Sequence, residues 1–247
     1  MATMTDLGGL KGLLFDKDGT LIDFFATWMP AYCLAADRIA AAAGLSGHAD
    51  RLLLAGGYDR ANDRLAPDSL LAAGTNEELI ALWRAGLEGR APADLDRIVL
   101  ETFAEYSEGE ITPTADLPAL FADLRASGYL LGIATNDDTE AACYAAEHLG
   151  LTAMLELVVG ADAGHGGKPG PGMALAFCAA SGLHPSQVAI IGDSAADSGM
   201  ARAAGLGAAI GVCTGAAPAA ALAPHFDVVI DSVADLPALL ADRRLTG

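Results

Sequence analysis

The sequence is short of positive charge. Of its 247 residues, 14 are lysine or arginine and 32 are aspartate or glutamate, so the formal net charge is −18. Binding to nucleic acid or to anionic lipid heads depends on clustered lysine and arginine, and we therefore expect neither partner. The chain has only three lysines, Lys11, Lys17 and Lys168. An anionic small molecule would have to be bound by one of a few local cations.

Two further absences narrow the class of protein. No apolar run reaches the 18 residues that a membrane span requires, and the N-terminus lacks the basic and apolar regions of a secretory leader. The four cysteines form no CxxC pair, which indicates reduced thiols rather than a metal or disulfide framework. We expect a cytoplasmic protein with no membrane partner.

Buried strands alternate with helices along much of the chain. Hydrophobic residues make up 53% of the sequence, which is typical of a folded globular protein. Short apolar runs without polar alternation predict central strands at residues 12–15, 129–135, 157–160, 188–191, 208–212 and 227–230. Helical segments lie between the later runs, and glycine follows them at positions 128, 150, 182 and 205. The pattern predicts an α/β fold, a doubly wound parallel sheet with helices on both faces.

The first and second predicted strands are separated by roughly 110 residues, whereas a crossover between parallel strands needs about a dozen. The intervening sequence reads as helical at residues 24–44 and 93–106, and Thr75 and Glu78 have the spacing of a capping box. Residues 56–74 are less regular. We therefore predict a core made of residues 1–22 and 113–247, and an inserted helical cap at residues 23–112.

Polar motifs follow the predicted strands or begin the next helix. They read Asp16-Lys17-Asp18-Gly19-Thr20, Thr135-Asn136-Asp137, Gly167-Lys168-Pro169 and Gly192-Asp193-Ser194-Ala195-Ala196-Asp197. Ligands of open α/β sheets bind beyond the carboxyl ends of the strands, so we expect these residues to meet at one site.

The residue types indicate phosphoryl transfer. Alternation along an extended chain predicts that Asp16 and Asp18 face one side while Lys17 points away. Carboxylates that share a spot need a cation between them, and an all-oxygen ligand set suits Mg²⁺. Lys168 and Thr135 would supply the charge and the hydroxyl that hold an anion. Positioning and charge neutralisation are what phosphoryl transfer requires.

Together these motifs resemble the haloacid dehalogenase-like superfamily of phosphohydrolases, and the insert resembles the first cap type of that family. The general layout is most similar to the phosphoglycolate-phosphatase-like members. The resemblance implies that Asp16 attacks phosphorus, and that Asp18 protonates the leaving group and then activates water. It further implies phosphate binding by Thr135, Asn136 and Lys168, Mg²⁺ binding by Asp16, Asp193 and the carbonyl of Asp18, and support from Asp197 and Ser194.

The substrate is less well defined by the sequence. Arg60 and Arg64 are candidates to bind a carboxylated phosphate, although their spacing also fits a solvated ion-pair face. Trp28 is a candidate to line the cavity, although its helical spacing also fits packing inside the cap. The expected substrate is a small phosphate ester, similar to phosphoglycolate or a sugar phosphate, and the oligomeric state is not readable.

Three alternative functions remain open. A β-phosphoglucomutase-like mutase would keep every core motif. A receiver-type signalling module also groups aspartates around Mg²⁺, but it needs neither Asp-x-Asp nor a large insert. A non-catalytic relative would be expected to lack Asp16 or Asp18, and both are present. A dehalogenase is disfavoured because it lacks the second aspartate of the first motif.

Overall fold

A computed structural model describes residues 7–45, 47–66, 69–107 and 111–244. The expectation of no leader rests partly on residues 1–6, which lie outside that range. Residues 67–68 and 108–110 of the predicted insert also lie outside it. No helix in the described part of the chain is long and apolar enough to cross a membrane.

A parallel sheet forms the core, as predicted. In the described residues its six strands have the order β5-β4-β1-β6-β7-β8, and β2 and β3 pair separately as a short antiparallel hairpin. The strands are β1 Gly12–Phe15, β2 Tyr58–Asp59, β3 Arg64–Leu65, β4 Leu130–Ala134, β5 Leu155–Val159, β6 Val188–Gly192, β7 Ala208–Val212 and β8 Val228–Ile230. The central position of β1 places its carboxyl end between those of β4 and β6.

Helices cover both faces of the sheet and form the insert. They are α1 Phe24–Ala42, α2 Ala49–Gly56, α3 Leu70–Ala73, α4 Asn76–Gly86, α5 Leu95–Ser107, α6 Leu117–Ala126, α7 Thr139–His148, α8 Gly172–Ser181, α9 Ala195–Ala204, α10 Ala219–Leu222 and α11 Leu236–Arg244. The sequence predicts core helices at residues 116–127, 138–149, 172–181 and 195–204, and each agrees with an observed helix to within about one residue at either end, which is the usual uncertainty of helix boundaries.

Strand β1 shows why the core is buried on both sides. Leu13 and Phe15 point to the face that α6 covers, where the rings of Phe15 and Phe121 lie 4.9 Å apart. Leu14 points to the opposite face and joins the cluster that contains Phe177 of α8. Burial of such side chains contributes about 1.5–3 kcal/mol each to stability, so β1 is held firmly at the centre.

The insert, α1 to α5, has a hydrophobic core of its own. Trp83 of α4 is fully buried there and donates a hydrogen bond to the carbonyl of Leu52, 2.9 Å away. The capping box predicted at Thr75 and Glu78 begins α4. The region predicted to be irregular contains the β2-β3 hairpin and the short helix α3, neither of which was predicted.

Two paired backbone segments connect the insert to the core. The amide of Asp23 donates to the carbonyl of Thr112 at 2.8 Å, and the amide of Thr114 donates to Leu21 at 2.9 Å. The chain therefore leaves the core and returns to it at one place, directly after the first motif.

Candidate active site

Three strand ends bring the first polar residues together. Asp16 follows β1, Thr135 follows β4 and Asp193 follows β6, and these three strands are neighbours in the sheet. The amide of Asp16 donates to the carbonyl of Ile191 at 2.8 Å, which ties the first motif to β6. All three side chains are buried and line a common cavity.

Lys168 bridges two carboxylates at the floor of this cavity. Its ammonium group donates to Oδ1 of Asp16 and to Oδ1 of Asp197, the latter at 2.7 Å. Burial alone would lower the pKa of Lys168, but the two carboxylates outweigh that effect and hold the pKa above its usual value. The lysine is therefore a fixed positive charge beside Asp16.

Three buried carboxylates lie close enough to hold one cation. Asp16, Asp193 and Asp197 each offer an oxygen within 4.8 Å of the others. Burial raises the pKa of Asp16 to about 7 against the opposing effect of Lys168, and burial with Asp16 and Asp197 raises the pKa of Asp193 well above its usual value. Such carboxylates favour a metal ion, and an oxygen-only donor set fits Mg²⁺.

Glycine on two loops makes room for Asp193. A Cβ at Gly215 would lie 1.6 Å from Oδ2 of Asp193, and a Cβ at Gly19 would lie 2.5 Å from the same atom. Gly19 also has a φ of +82°, which glycine adopts at no steric cost. Thr214 joins the two loops by donating to the carbonyl of Gly19 at 2.6 Å. The requirement at Gly215 was not predicted from the sequence.

A second buried lysine holds Asp18. Lys17 lies 2.8 Å from Oδ2 of Asp18 and 2.9 Å from Oδ2 of Asp137, and the indole N–H of Trp28 donates to Oδ1 of Asp18. The prediction from strand alternation is corrected here, because β1 ends at Phe15 and the alternation ends with it. The side chain of Lys17 contacts Asp18, the second carboxylate of the first motif, and not the group of Asp16, Asp193 and Asp197.

Burial raises the pKa of Asp18, while Lys17 opposes that shift. A carboxyl with a raised pKa is suited to carry and release a proton near neutral pH. The structure therefore gives Asp16 and Asp18 different partners, although they are two residues apart.

Asn136 positions the loop that carries Lys168. Its side-chain oxygen accepts from the amide of Lys168 at 2.7 Å, and its amide group donates to the carbonyl of the same residue at 3.4 Å. Thr135 accepts from the amide of Asp137 at 3.1 Å and its side chain lines the cavity. Phosphate binding by Asn136 stays a prediction, and the structure adds that its side chain fixes the loop of Lys168.

Ser194 and Asp197 form the capping box at the start of α9. Oδ2 of Asp197 accepts from the amide of Ser194 at 3.1 Å and from its hydroxyl at 2.7 Å. The other carboxylate oxygen faces Lys168. Asp197 therefore combines the helix-capping role with a place among the three buried carboxylates.

The insert closes the cavity with an aromatic and apolar wall. Its members are Phe24, Trp28 and Tyr32 of α1, together with Leu71, Ala72, Gly74 and Asn76. Trp28 and Tyr32 stack with ring centroids 5.9 Å apart. Of the predicted specificity residues, Trp28 lines the cavity, and it also packs inside the insert.

The structure does not bring Arg60 or Arg64 to this wall. Arg60 donates to Asp37 at 3.2 Å, to Asp50 at 3.1 Å and to the carbonyl of Cys33 at 3.2 Å. Arg64 is exposed on the β2-β3 hairpin. The ion-pair interpretation agrees with the position of Arg60, whose partners are Asp37 and Asp50.

Comparison with known proteins agrees with this geometry. The family model described as a haloacid dehalogenase-like hydrolase matches residues 10–205, which include the four motifs. The chain belongs to the haloacid dehalogenase-like hydrolases. The family resemblance predicted from the motifs is confirmed, and with it the prediction of an enzyme.

This haloacid dehalogenase-like hydrolase has relatives along nearly its whole length. It is 31% identical to a phosphoglycolate phosphatase from Salmonella typhimurium, with 96% of this chain and 95% of that protein covered. It is 27% identical to an N-acetylmuramic acid 6-phosphate phosphatase from Pseudomonas aeruginosa, with 79% of each covered. A predicted phosphoglycolate phosphatase from Haemophilus somnus has a similar structure, with a TM-score of 0.69, 20% identity and coverage of 94% and 98%. At that identity the structural likeness shows the fold alone.

Proposed function

We propose that this hydrolase is a Mg²⁺-dependent phosphatase that cleaves a small phosphate monoester through an aspartyl phosphate on Asp16. The observation that carries the proposal is the placement of Asp16 at the floor of the cavity, in contact with Lys168 and within 4.8 Å of two further carboxylates. A nucleophile, a cation for the phosphoryl oxygens and a metal-binding set then meet at one point.

The chemistry divides into two steps. A carboxylate oxygen of Asp16 attacks phosphorus, the bond from phosphorus to the ester oxygen breaks, and Asp18 gives its proton to the departing alkoxide. Asp18 then takes a proton from water, the resulting hydroxide attacks the aspartyl phosphate, and inorganic phosphate leaves with the carboxylate of Asp16 restored. Thr135 and Lys168 bind the phosphoryl oxygens throughout.

Asp16, Asp193 and Asp197 would hold the Mg²⁺ ion, and the backbone carbonyl of Asp18 remains a further predicted ligand. When bound, the ion would neutralise charge that develops on the phosphoryl oxygens. Without it, three buried carboxylates would oppose the approach of a phosphate dianion.

The test is hydrolysis of p-nitrophenyl phosphate by the purified protein. We expect phosphate release that needs Mg²⁺ and stops in EDTA, and we expect Asp16→Asn to reduce turnover to background while its circular dichroism spectrum stays unchanged. The amide is nearly isosteric with the carboxylate but is a poor nucleophile. Turnover in EDTA would refute the metal assignment, and an active Asp16→Asn variant would refute the covalent step.

The relatives suggest two substrate classes, phosphoglycolate and a sugar phosphate. Both names denote acids, so each named substrate carries a carboxylate besides its phosphate. A phosphomutase would use the same Asp16 and Asp18, and it would be distinguished by the appearance of an isomeric phosphate ester in place of free phosphate.

A further inference from the structure

The catalytic cavity is small. Its free interior is about 50 Å³, which corresponds to about four water molecules if each needs about 10–15 Å³. That space suits a phosphoryl group and little else. If the proposed function holds, the alcohol half of the substrate must therefore lie elsewhere.

A second cavity adjoins the first. It has a volume of about 340 Å³ and shares Trp28, Asn76 and Asp137 with the catalytic cavity. Small-molecule sites occupy about 300–1,000 Å³, so this space is large enough for an alcohol of several heavy atoms. The rest of its lining comes from two helices. Helix α5 of the insert contributes Leu100, Phe103 and Ala104. Helix α7 of the core contributes Glu140, Ala141 and Tyr144, and Asp138 directly precedes that helix.

The wall of this second cavity is partly aromatic. Phe103 meets the ring of Trp28 edge-on at 5.8 Å, and Trp28 lines both cavities. Leu100 is 42% exposed, which is unusual among the large hydrophobic residues of this chain, and it lies in the lining. Phe103 and Leu100 therefore offer apolar contact to a ligand.

Every charged group in the described lining of the second cavity is a carboxylate, namely Asp137, Asp138 and Glu140. Lys17 offsets the charge of Asp137 but is itself buried away from the cavity. Several of the cationic residues of the insert are bound on other surfaces. Arg38 pairs with Glu105, Arg84 with Asp96, Arg97 with Asp94 and Glu101, and Arg60 with Asp37 and Asp50.

We infer that the alcohol half of the substrate binds in the cavity between α5 and α7, and that it carries no negative charge. A carboxylated alcohol would face Asp138 and Glu140, and the described lining of this cavity contains no cation to offset the repulsion. The inference rests on the proposed phosphatase function, and it separates this chain from the relatives whose named substrates are acids.

A matched pair of substrates tests the charge preference. 2-Phosphoglycolate and 2-hydroxyethyl phosphate have the same two-carbon length, and they differ in a carboxylate against a hydroxymethyl group. We expect kcat/KM to be about tenfold lower for phosphoglycolate than for 2-hydroxyethyl phosphate, since like charges in a partly buried site repel strongly. Equal or better turnover of phosphoglycolate would overturn the inference.

Charge substitutions on α7 test the location. Glu140→Lys should raise the ratio of kcat/KM for phosphoglycolate to that for hydroxyethyl phosphate by about three- to tenfold, and Glu140→Gln should raise it less. Glu147→Lys is the matched control, because Glu147 is exposed on the same helix and lines neither cavity. The ratio is measured within one preparation, so it does not depend on the folded fraction of each variant.

The outcomes separate the two proposals. A protein that hydrolyses neither ester nor p-nitrophenyl phosphate would contradict the phosphatase function itself. A phosphatase that prefers phosphoglycolate would contradict only the charge preference. If Glu147→Lys changes the ratio as much as Glu140→Lys, the effect comes from the overall field of the protein, and the location between α5 and α7 is wrong.

Discussion

The two buried lysines of the site form similar ion-pair centres with different neighbours. Lys168 bridges Asp16 and Asp197, and Lys17 bridges Asp18 and Asp137. In both cases burial would lower the lysine pKa, and the paired carboxylates raise it instead. Each centre therefore keeps a protonated lysine against one of the two aspartates of the first motif.

The difference lies in what surrounds each centre. All the ion-pair partners of Lys168 belong to the core. The Lys17 centre also contacts the insert, because Trp28 donates to Asp18 and Asn76 donates to Asp137 at 3.3 Å. Asp16 is thus held by the core, whereas Asp18 is held jointly by core and insert.

The largest expected effect comes from removing the core centre. We expect Lys168→Met to lower kcat/KM for p-nitrophenyl phosphate by about 10²–10³-fold, because a preorganised charge at the phosphoryl oxygens is lost. Lys168→Arg keeps the charge and should lose less. A decrease of less than tenfold in kcat/KM for Lys168→Met would contradict the role of Lys168 in binding the phosphoryl oxygens.

Removing the other centre should have a smaller and different effect. We expect Lys17→Met to lower kcat by about 10–100-fold with little change in KM, because Asp18 loses the partner that positions it for proton transfer. Lys17→Arg is the matched control that preserves the ion pair. A rise in KM with unchanged kcat would indicate that Lys17 binds substrate instead.

The smallest expected effect concerns the stability of the fold, and it tests Asp193 as a ligand of Mg²⁺. The pKa of Asp193 is raised by burial, and such a carboxyl contributes stability that is fully present below its unfolded pKa and is lost as pH rises through the folded pKa. At pH 8 without metal, Asp193 therefore destabilises the fold. We expect Asp193→Asn to increase the free energy of unfolding by about 1–2 kcal/mol in EDTA.

The same variant should lose most of the thermal stabilisation that Mg²⁺ gives the parent protein, since a metal that binds only the folded state raises its stability. Thermal unfolding at pH 8, with Mg²⁺ and with EDTA, measures both effects. A less stable Asp193→Asn protein in EDTA would show that the carboxylate has a structural partner.

The core was predictable because its signals are local. Strand β1 is a continuous apolar run, and a glycine lies one or two residues after the end of α6, α7, α8 and α9, so sequence alone locates these elements. The hairpin of β2 and β3 has strands of two residues, too short for any periodicity to register. Gly215 and Asn76 belong to no motif, and their roles depend on tertiary proximity that single-chain patterns do not encode.

The position of Lys17 shows the limit most clearly. Its motif is evident in the sequence, but the direction of its side chain is inferred from an alternation that ends at Phe15, two residues before Lys17. A lysine side chain is long and flexible, and the ammonium group of Lys17 reaches the carboxylates of Asp18 and Asp137. Residue identity was therefore readable from the sequence, while the partner of that residue was not.

The junction between insert and core has a consequence for how such chains diversify. The two connecting segments lie side by side, with the amide of Asp23 bonded 2.8 Å from the carbonyl of Thr112. A folded unit whose ends are this close can be exchanged for another of different length without moving the host strands. The ion pair of Lys168 with Asp16 lies wholly in the core and would then be inherited unchanged. The hydrogen bonds that Trp28 and Asn76 donate to Asp18 and Asp137 would have to be supplied again by each new insert.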